Sequence, residues 1–350
     1  MSDNTNAATA GSYDEKFMRR ALCLAARGFG DTAPNPMVGS VIVSADGRII
    51  GEGWHRRCGE GHAEVNAVAS VSEADRGLLV GSTMYVTLEP CSHWGRTPPC
   101  AQLIVNCGIP RVIVGATDPY EKVSGRGIAM LRDAGVEVVT GVLAEESRRL
   151  NAMFMTANGN GRRPFVTLKF AQSADGYIDW KRTSAHPGPC RFSNSLTKLG
   201  AHRLRAAHQA ILCGSGTALA DRPRLDNRLW TGPVPVPVIL DRRGRVMRRD
   251  LPEGALVLSG DTSPEAVLSE LYGRGIQSVL VEGGSSVLQS FLDSGLWDAM
   301  RVETAGFILG SEGAVKSPRL PGAAIPLKTD GVLCWYSNNQ LFTADNPLCR

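Results

Sequence analysis

Two segments say most about the fold and the chemistry of this chain: Gly61-His62-Ala63-Glu64 and Leu88-Glu89-Pro90-Cys91-Ser92-His93-Trp94-Gly95-Arg96-Thr97-Pro98-Pro99-Cys100. The first segment opens a predicted helix, and the second begins at the C-terminal end of a predicted buried strand. Together they supply one imidazole and two thiols, which can hold Zn²⁺ and leave a fourth tetrahedral position open for water. The sequence therefore predicts a metal site at the end of a strand.

Glu64 follows His62 by two residues, so both side chains can project from the first turn of one helix toward the same cavity. Its carboxylate need not bind the metal, because its use lies in taking a proton from water and delivering it to a ring nitrogen. We therefore predict His62, Cys91 and Cys100 as zinc ligands and Glu64 as the catalytic acid and base of a deaminase. A purely structural zinc domain is an alternative, but it would leave Glu64 idle and require a fourth protein ligand.

Length and composition bound the possibilities. A chain of 350 residues favours two domains, and 43% hydrophobic with 21% charged residues is typical of a globular protein. The net charge of +4 is dispersed, which disfavours a nucleic-acid partner, and no apolar run is long enough to span a membrane. Residues 1–13 are small and polar, so we predict a disordered leader, not a signal peptide. The nine cysteines then indicate reduced thiols and a cytoplasmic protein.

Strand and helix signals alternate along the chain, which predicts an α/β fold. In the first half we expect helices over 17–27, from 62 onward, over 101–107 and over 127–134, and strands over 38–43, 48–52, 84–88, 111–116 and 136–142. A linker-like segment, Asn158-Gly159-Asn160-Gly161-Arg162-Arg163-Pro164, places a domain boundary between Met155 and Arg163. In the second half we expect strands over 165–170, 210–214, 236–241, 255–259 and 278–282. Residues 335–350 are interpreted as a last strand with a frayed tail.

The spacing of the two cysteines narrows the choice among deaminases. Eight residues separate Cys91 from Cys100, whereas two are usual. The sequence motif Glu-Pro-Cys-Ser-His…Gly-Arg-Thr-Pro-Pro-Cys resembles that of the bifunctional deaminase–reductases of riboflavin biosynthesis. Further similar segments are Pro34-Asn35-Pro36-Met37-Val38-Gly39, Gly53-Trp54-His55 and Asp118-Pro119…Gly125-Arg126-Gly127. The resemblance runs from near residue 14 to near residue 310.

The resemblance implies a fold and a function for each half. It implies a zinc-dependent deaminase domain over residues 14–158, a cytidine-deaminase-like α/β/α sandwich with a mixed sheet. It also implies an NADPH-dependent reductase domain over residues 163–350, with an α/β fold similar to dihydrofolate reductase. The substrate would be a diaminopyrimidinone carrying a ribosylamino 5-phosphate, which is deaminated to the uracil and then reduced to the ribityl compound. We expect a homo-oligomer. One alternative is a monofunctional deaminase with a non-catalytic second domain, and another is a nucleic-acid base deaminase, against which the dispersed charge speaks.

Site residues follow from the same resemblance. In the first domain it implies substrate contacts by Asn35, His55, Arg96 and Asp118, although Asn35 could be a turn residue and Asp118 a helix cap. In the second domain it implies substrate positions at Lys169, Arg205, Leu225, Arg228 and Glu282. Cofactor positions are implied at Ala171, Arg191, Thr217, Asp221, Gly284, Ser285, Ser286, Val287, Leu288, Gln289 and Ser290. A shift of one residue would replace Arg191 by Phe192.

Two features of the second half support phosphate binding independently of the resemblance. The buried strand Val279-Leu280-Val281 runs into Glu282 and the pair Gly283-Gly284 before a helix, which lets backbone N–H groups approach a pyrophosphate. Arginines are grouped at 203/205, at 222/224/228 and at 242/243/245, where they could bind phosphate or lie on a solvated surface. The His/Cys/Cys set predicts Zn²⁺, and the resemblance together with these arginines implies NADPH, so we expect both as cofactors.

Overall fold

The computed structural model of the chain describes residues 3–94, 98–119, 124–159, 161–322, 324 and 326–349. The chain divides into two units, Met1–Asn160 and Gly161–Arg350. This division falls inside the interval from Met155 to Arg163 in which the sequence suggests a boundary. Within the described residues, no helix combines the length and the apolar character that crossing a bilayer requires.

The first unit is built on one mixed sheet. Its strands are β1 Gly39–Val43, β2 Ile49–Trp54, β3 Thr83–Leu88, β4 Arg111–Ala116 and β5 Glu137–Thr140. They lie in the order β2-β1-β3-β4-β5. The pairs β1–β2 and β1–β3 are antiparallel, whereas β3–β4 and β4–β5 are parallel. The mixed sheet predicted for this half is therefore confirmed.

Helices cover both faces of this sheet. They are α1 Asp3–Ala25, α2 Ala63–Ala69, α3 Cys100–Asn106, α4 Arg126–Asp133, α5 Ala144–Leu150 and α6 Ala152–Asn158. Side chains of α1 pack with β1, β3 and β4 through Val41, Tyr85 and Ile113. On the opposite face, α2, α3 and α4 pack on the same strands through alternate residues such as Ile42 and Val86. The period-two alternation of the strands thus builds the α/β/α sandwich that the resemblance implies.

The N-terminus differs from the sequence-based expectation. We predicted a disordered leader over residues 1–13 and a helix over 17–27, whereas α1 runs from Asp3 to Ala25 and a 3₁₀ turn continues it to Gly28. The leader contains three alanines and no proline, and it directly precedes the segment with helical periodicity, so α1 extends into it.

The second unit contains a larger sheet. Its strands are β6 Phe165–Gln172, β7 Tyr177–Trp180, β8 Ala210–Gly214, β9 Val236–Leu240, β10 Leu256–Leu258, β11 Ser278–Val281, β12 Ala299–Thr304, β13 Gly313–Lys316, β14 Pro326–Asp330 and β15 Leu333–Ser337. Eight of them form the order β10-β9-β8-β11-β6-β12-β15-β14, and β7 pairs separately with β13. The strands from β10 to β12 in this order are parallel, and β15 and β14 are antiparallel additions.

Four helices accompany this sheet: α7 Ser195–Ala206, α8 Ser215–Asp221, α9 Pro264–Gly273 and α10 Ser285–Ser294. Leu271 of α9 and Phe291 of α10 pack on one face of the parallel strands with Leu168 and Val281. The start of α7 is capped by Asn194, whose side-chain oxygen accepts hydrogen bonds from two backbone N–H groups of the first turn. The α/β class predicted for this half is confirmed.

The chain end is packed, not frayed. Strand β15 is followed by a segment in which Phe342 is almost fully buried against Phe165 and Trp335. Asn339 donates a hydrogen bond to the buried carboxylate of Asp298. The same carboxylate accepts hydrogen bonds from both terminal nitrogens of Arg163. The short, polar tail therefore docks because its few apolar side chains find tertiary partners, and this information is not local to the segment.

Candidate active sites

The three predicted metal ligands come together in the first unit. His62 directly precedes α2, Cys91 follows the end of β3 after Glu89-Pro90, and Cys100 is the first residue of α3. Helix α2 lies close enough to β2 that a Cβ on Gly53 would approach the backbone nitrogen of Ala67 to 2.3 Å. Glycine at this position therefore lets α2 bring His62 toward the strand ends.

The distances fit a zinc ion. His62 Nδ1 is 3.6 Å from Cys91 Sγ and 3.4 Å from Cys100 Sγ, and the three donor atoms lie within 4.8 Å of one another. A tetrahedral zinc ion with bonds of about 2.0–2.3 Å separates its donor atoms by roughly 3.5 Å. The donor set and its spacing therefore suit Zn²⁺, and three protein ligands leave room for one more group.

Neighbouring groups favour the thiolate form of Cys91. The backbone N–H of Cys100 donates a hydrogen bond to Cys91 Sγ over 3.3 Å. The hydrogen bond with the Cys100 side chain, together with His62, lowers the pKa of Cys91 although burial opposes this. The same thiol–thiolate contact, reinforced by burial, raises the pKa of Cys100. The pair thus shares one proton, which a metal cation would displace.

Glu64 is a buried acid beside this cluster. Only 3% of its surface is exposed, and burial raises the pKa of its carboxyl to about 7, although the neighbouring His62 acts in the opposite direction. A carboxyl group with such a pKa exists in both protonation states near neutral pH. Glu64 can therefore both accept and return a proton.

Asn35 and His55 form a hydrogen-bonded chain next to the cluster. His55 Nδ1 lies 3.1 Å from the carbonyl oxygen of Gly61, and its Nε2 lies 3.2 Å from Asn35 Nδ2. Burial lowers the pKa of His55, which favours the neutral ring. Nδ1–H then donates to Gly61, and Nε2 accepts from the Asn35 amide. The ring of His55 meets that of His62 edge to face, with centroids 5.5 Å apart.

Glu89 is a structural residue that the sequence reasoning missed. Its buried carboxylate accepts backbone N–H hydrogen bonds from Asp118, Gly125, Gly127 and Ile128 over 3.0–3.4 Å. Glu89 therefore ties the end of β3 to the segment that contains Asp118 and to the first turn of α4. The signal was an acid directly after a buried strand, where a carboxylate needs partners.

Two other predicted residues of the first unit have simpler outcomes. Asp118 is buried. Its backbone N–H donates a hydrogen bond to the carboxylate of Glu89, which directly follows β3. Arg96, predicted to contact the substrate, lies outside the described residues.

Predicted substrate residues of the second unit also meet. Nε and Nη2 of Arg205 donate hydrogen bonds to the two carboxylate oxygens of Glu282, over 3.0 and 2.6 Å. Burial disfavours the charged form of Glu282, but Arg205 and Lys169 outweigh it and hold its pKa at about 2. Burial lowers the pKa of Lys169. The Asp226 backbone oxygen accepts a hydrogen bond from Arg205, and the Asp226 side chain pairs with Arg228.

Leu225 of the same group is buried at a φ of 53°, in the left-handed region. A non-glycine residue there is strained, and such strain is often found at binding sites. The structure thus connects the predicted substrate residues of this unit, directly or through Asp226.

The predicted cofactor residues fall into two groups. Thr217 of α8 accepts a hydrogen bond from the backbone N–H of Gly284, which precedes α10. A Cβ on the neighbouring Gly283 would lie 2.3 Å from the Cα of Cys213. This glycine pair therefore brings the starts of the two helices together. Ser286, Val287 and Ser290 line a cavity of about 920 Å³ between them.

Other predicted cofactor residues do not line this cavity. Leu288 packs into the core, and Gln289 accepts a hydrogen bond from the backbone N–H of Arg319. Asp221 pairs with Arg182, and Arg191 is exposed. Phe192, the other candidate at this position, stacks on Phe307. Ala171 at the end of β6 and Ser285 are also outside the cavity lining.

Arginines that the sequence marked only as candidates do reach the cavity. Arg242, Arg243 and Arg245 line it, and Arg245 Nη2 donates a hydrogen bond to Ser215 Oγ over 2.8 Å. Positive charge beside two helix starts is an environment that suits a phosphate group.

Comparison with known proteins gives a match for each unit. Residues 12–116 match the family described as the cytidine and deoxycytidylate deaminase zinc-binding region. Residues 164–331 match the family described as the RibD C-terminal domain.

Relatives match over most of the chain. The riboflavin biosynthesis protein RibD of Bacillus amyloliquefaciens is 39% identical over 333 residues, which cover 85% of each chain. The protein of the same name from Escherichia coli (strain K12) is 35% identical and covers 85% of this chain and 89% of the relative. The similarity therefore extends across both units.

Solved structures agree with this. Acinetobacter baumannii RibD (form 2) is 31% identical with a TM-score of 0.82, covering 94% of this chain and 99% of that one. A diaminohydroxyphosphoribosylaminopyrimidine deaminase/5-amino-6-(5-phosphoribosylamino)uracil reductase from Thermotoga maritima is 37% identical with a TM-score of 0.79 and the same coverage.

Proposed function

The chain belongs to the RibD family of riboflavin-biosynthesis proteins, and on that premise we propose how its own residues divide the two reactions of the family. It is a bifunctional enzyme that uses zinc in the deamination of a phosphorylated diaminopyrimidine and NADPH in the reduction of the resulting ribosylamino uracil. Because the relatives match in both units, a second unit without catalytic activity is not favoured. Residues 14–158 deaminate, and residues 163–350 reduce.

The deaminase proposal rests on the convergence of His62, Cys91 and Cys100 beside the buried Glu64. Zn²⁺ held by the three ligands would make water a nucleophile near neutral pH. Glu64 takes the proton of the attacking water and returns it to the pyrimidine ring nitrogen. It then carries the proton of the hydroxyl group added at C2 to the 2-amino group, so that the C2–N bond breaks, the C2 carbonyl forms and ammonia leaves. Asn35, oriented by His55, faces the pyrimidine. Asp118 and Arg96 contact the ribose phosphate.

Replacing Glu64 by glutamine tests this role. We expect Glu64→Gln to keep its zinc and to lose deaminase turnover by about 10²–10⁴-fold, because general acid–base catalysis contributes on that order. Zinc content is measured by elemental analysis, and turnover by ammonia release. Glu73→Gln is the matched control, since the Glu73 side chain is 92% exposed. Deamination by Glu64→Gln at the rate of the control would contradict the assignment.

In the second unit, the cofactor occupies the cavity between α8 and α10. NADPH, when bound, supplies the reducing equivalents for C1′ of the ribose. Ser286, Ser290 and the arginines at 242, 243 and 245 hold its phosphates, and Thr217 fixes the backbone at Gly284. Lys169, Arg205 and Glu282, with Leu225 and Arg228, hold the phosphorylated substrate. The support is the positive lining of the cavity and the paired charges beside it.

The choice of NADPH over NADH gives a second test. We assign Arg245 to the 2′-phosphate, which distinguishes NADPH from NADH, so we expect Arg245→Gln to raise the KM for NADPH about tenfold while the KM for NADH changes little. Rates of NADPH and NADH oxidation with the ribosylamino uracil substrate provide both constants. The control is Arg274→Gln, an exposed arginine of the α9 C-terminus that pairs with Glu270. Equal effects on the two cofactors would contradict a contact with the 2′-phosphate, which NADPH carries and NADH lacks.

Location and assembly are part of the same proposal. The nine cysteines are all free, which suits the reducing cytoplasm, where we place this enzyme. We also propose a homo-oligomer, since most soluble oligomers are built of identical chains. Sedimentation of the purified enzyme tests the second statement, and a monomer at micromolar concentration would contradict it.

A further inference from the structure

A row of charged side chains crosses the sheet of the second unit. Strands β11, β6 and β12 are neighbours, and the pairing register sets Lys169 of β6 opposite Arg301 of β12. Glu282 directly follows β11 and thus comes beside Lys169. Glu303 lies two residues beyond Arg301, so it is on the same face of the sheet. Helix α7 covers this face.

Both carboxylates of the row are already engaged. Glu282 binds Arg205 of α7. Glu303 accepts hydrogen bonds from the hydroxyl groups of Ser193 and Thr197, over 2.8 and 2.7 Å. Glu303 therefore anchors the beginning of α7 on β12.

The two cations between them have no carboxylate partner within 4.0 Å among the described residues. Arg301 is only 3% exposed. Its Nη2 donates to the carbonyl oxygen of Thr197 over 3.3 Å, and its buried Nη1 has no hydrogen-bond partner in the described part of the chain. Gly200 leaves space for it, since a Cβ there would stand 3.4 Å from Nη2. Glu303 and Glu282 favour the charge of Arg301 from a distance, but a buried guanidinium with no carboxylate in contact is unfavourable, and an apolar side chain would stabilise the fold better. Arg301 therefore needs an explanation other than stability.

We propose that Arg301 and Glu303 are positioning residues of the reductase: they fix the start of α7 and set the charge around Lys169, so that Lys169 faces the anionic substrate without a carboxylate partner of its own. This inference rests on the proposed reductase function. It assigns a role to two side chains that lie outside the predicted substrate and cofactor sets.

The charges around Lys169 predict in which direction its pKa should shift in each variant. Burial has the largest effect and lowers the pKa of Lys169. Of the charged groups that face it, Glu282 raises the pKa, Arg301 and Arg205 lower it, and Glu303 raises it. Removing the charge of Arg301 should therefore raise the pKa of Lys169, and removing the charge of Glu303 should lower it.

The test uses the full-length, zinc-loaded enzyme with NADPH and the ribosylamino uracil phosphate. The rate of NADPH oxidation is followed against pH for Arg301→Gln, Glu303→Gln and the conservative Arg301→Lys. In parallel, acetylation of Lys169 by acetic anhydride is followed against pH by mass spectrometry, which identifies the titration of this amine without any turnover. We expect the pH midpoint for acetylation of Lys169 to move to higher pH in Arg301→Gln and to lower pH in Glu303→Gln. Arg301→Lys should retain the wild-type midpoint.

Shifts in the same direction, or no shift of the Lys169 midpoint in either glutamine variant, would overturn the proposal even if activity fell, because a merely structural role predicts only that loss. Deaminase turnover and thermal unfolding of each variant report whether the protein has folded. If wild-type enzyme failed to oxidise NADPH, the proposed reductase function would be wrong, whereas the pH midpoints of acetylation would still show whether Arg301 and Glu303 set the charge around Lys169.

Discussion

Glu64 and His208 are both buried ionisable side chains, and burial shifts their pKa values in opposite directions. Burial raises the pKa of Glu64 to about 7 and lowers that of His208 to about 4, because it disfavours the charged form of each. Glu64 can exchange a proton during the reaction. His208 is held neutral between two hydrogen-bond partners, the Leu204 carbonyl oxygen and the Thr167 hydroxyl, each at 2.7 Å.

His208 makes the second unit sensitive to mild acid. Its folded pKa of about 4 lies below the ordinary value of 6.5, so the unfolded chain takes up the proton first. The stabilisation is complete above pH 6.5 and is lost as the pH falls toward 4, by roughly 3 kcal/mol. We expect His208→Gln to flatten this dependence, because the amide can still donate and accept a hydrogen bond. Urea unfolding at several pH values measures it.

His186 is the control for this measurement. The comparison variant is His186→Gln, which replaces a histidine whose side chain is about a third exposed and leaves the hydrogen bonds of His208 intact. If the free energy of unfolding of His208→Gln still fell as steeply as in the wild type between pH 6.5 and 4, the acid sensitivity would come from other groups.

At the scale of elements, the segments that deliver the zinc site could be predicted closely. Strand β4 was predicted with its observed bounds, and β3 and α3 were each predicted to within one residue at either end. These elements are apolar runs bounded by glycine, proline or polar residues, so their signals are local.

Contacts between distant segments could not be predicted in this way. The hydrogen bonds of Glu89 reach residues about 30 to 40 positions further along the chain, and the partners of Arg301 lie on α7, more than 100 residues earlier. Neither residue stands in a periodic pattern that marks its role. The docking of the chain end around Phe342 could not be predicted for the same reason, since its partner Phe165 belongs to the first strand of the unit.

Glu89→Gln tests the importance of the link between β3 and α4. The glutamine NH₂ group would face backbone N–H donors, so we expect a loss of about 1–3 kcal/mol in the free energy of unfolding. Deamination should weaken with it, because the segment at Asp118 loses its anchor, while NADPH oxidation stays at the wild-type rate. Thermal unfolding and the two activity assays check this.

Glu146→Gln serves as the comparison, since Glu146 of α5 is exposed and should change stability by less than about 0.5 kcal/mol. Equal stability of the two variants would mean that the four hydrogen bonds of Glu89 are not needed for the fold.

At the scale of the whole molecule, each of the two units has its own sheet, its own core and its own set of site residues. The chemistry of the two sets differs, because the first holds a thiolate-based metal site and the second a positively charged cavity beside paired charges. Loss of zinc should therefore affect only the first reaction.

The most direct measurement of this account follows the products of the full-length enzyme by mass spectrometry, starting from the diaminopyrimidine ribosylamino phosphate. With zinc alone, we expect the deaminated ribosylamino uracil to accumulate, and with zinc and NADPH we expect the ribitylamino compound. After removal of zinc by a chelator, the enzyme should form neither product from the diaminopyrimidine but should still reduce added ribosylamino uracil. Reduction that stops when zinc is removed, or a product that remains at the ribosyl stage despite NADPH, would contradict a two-site enzyme.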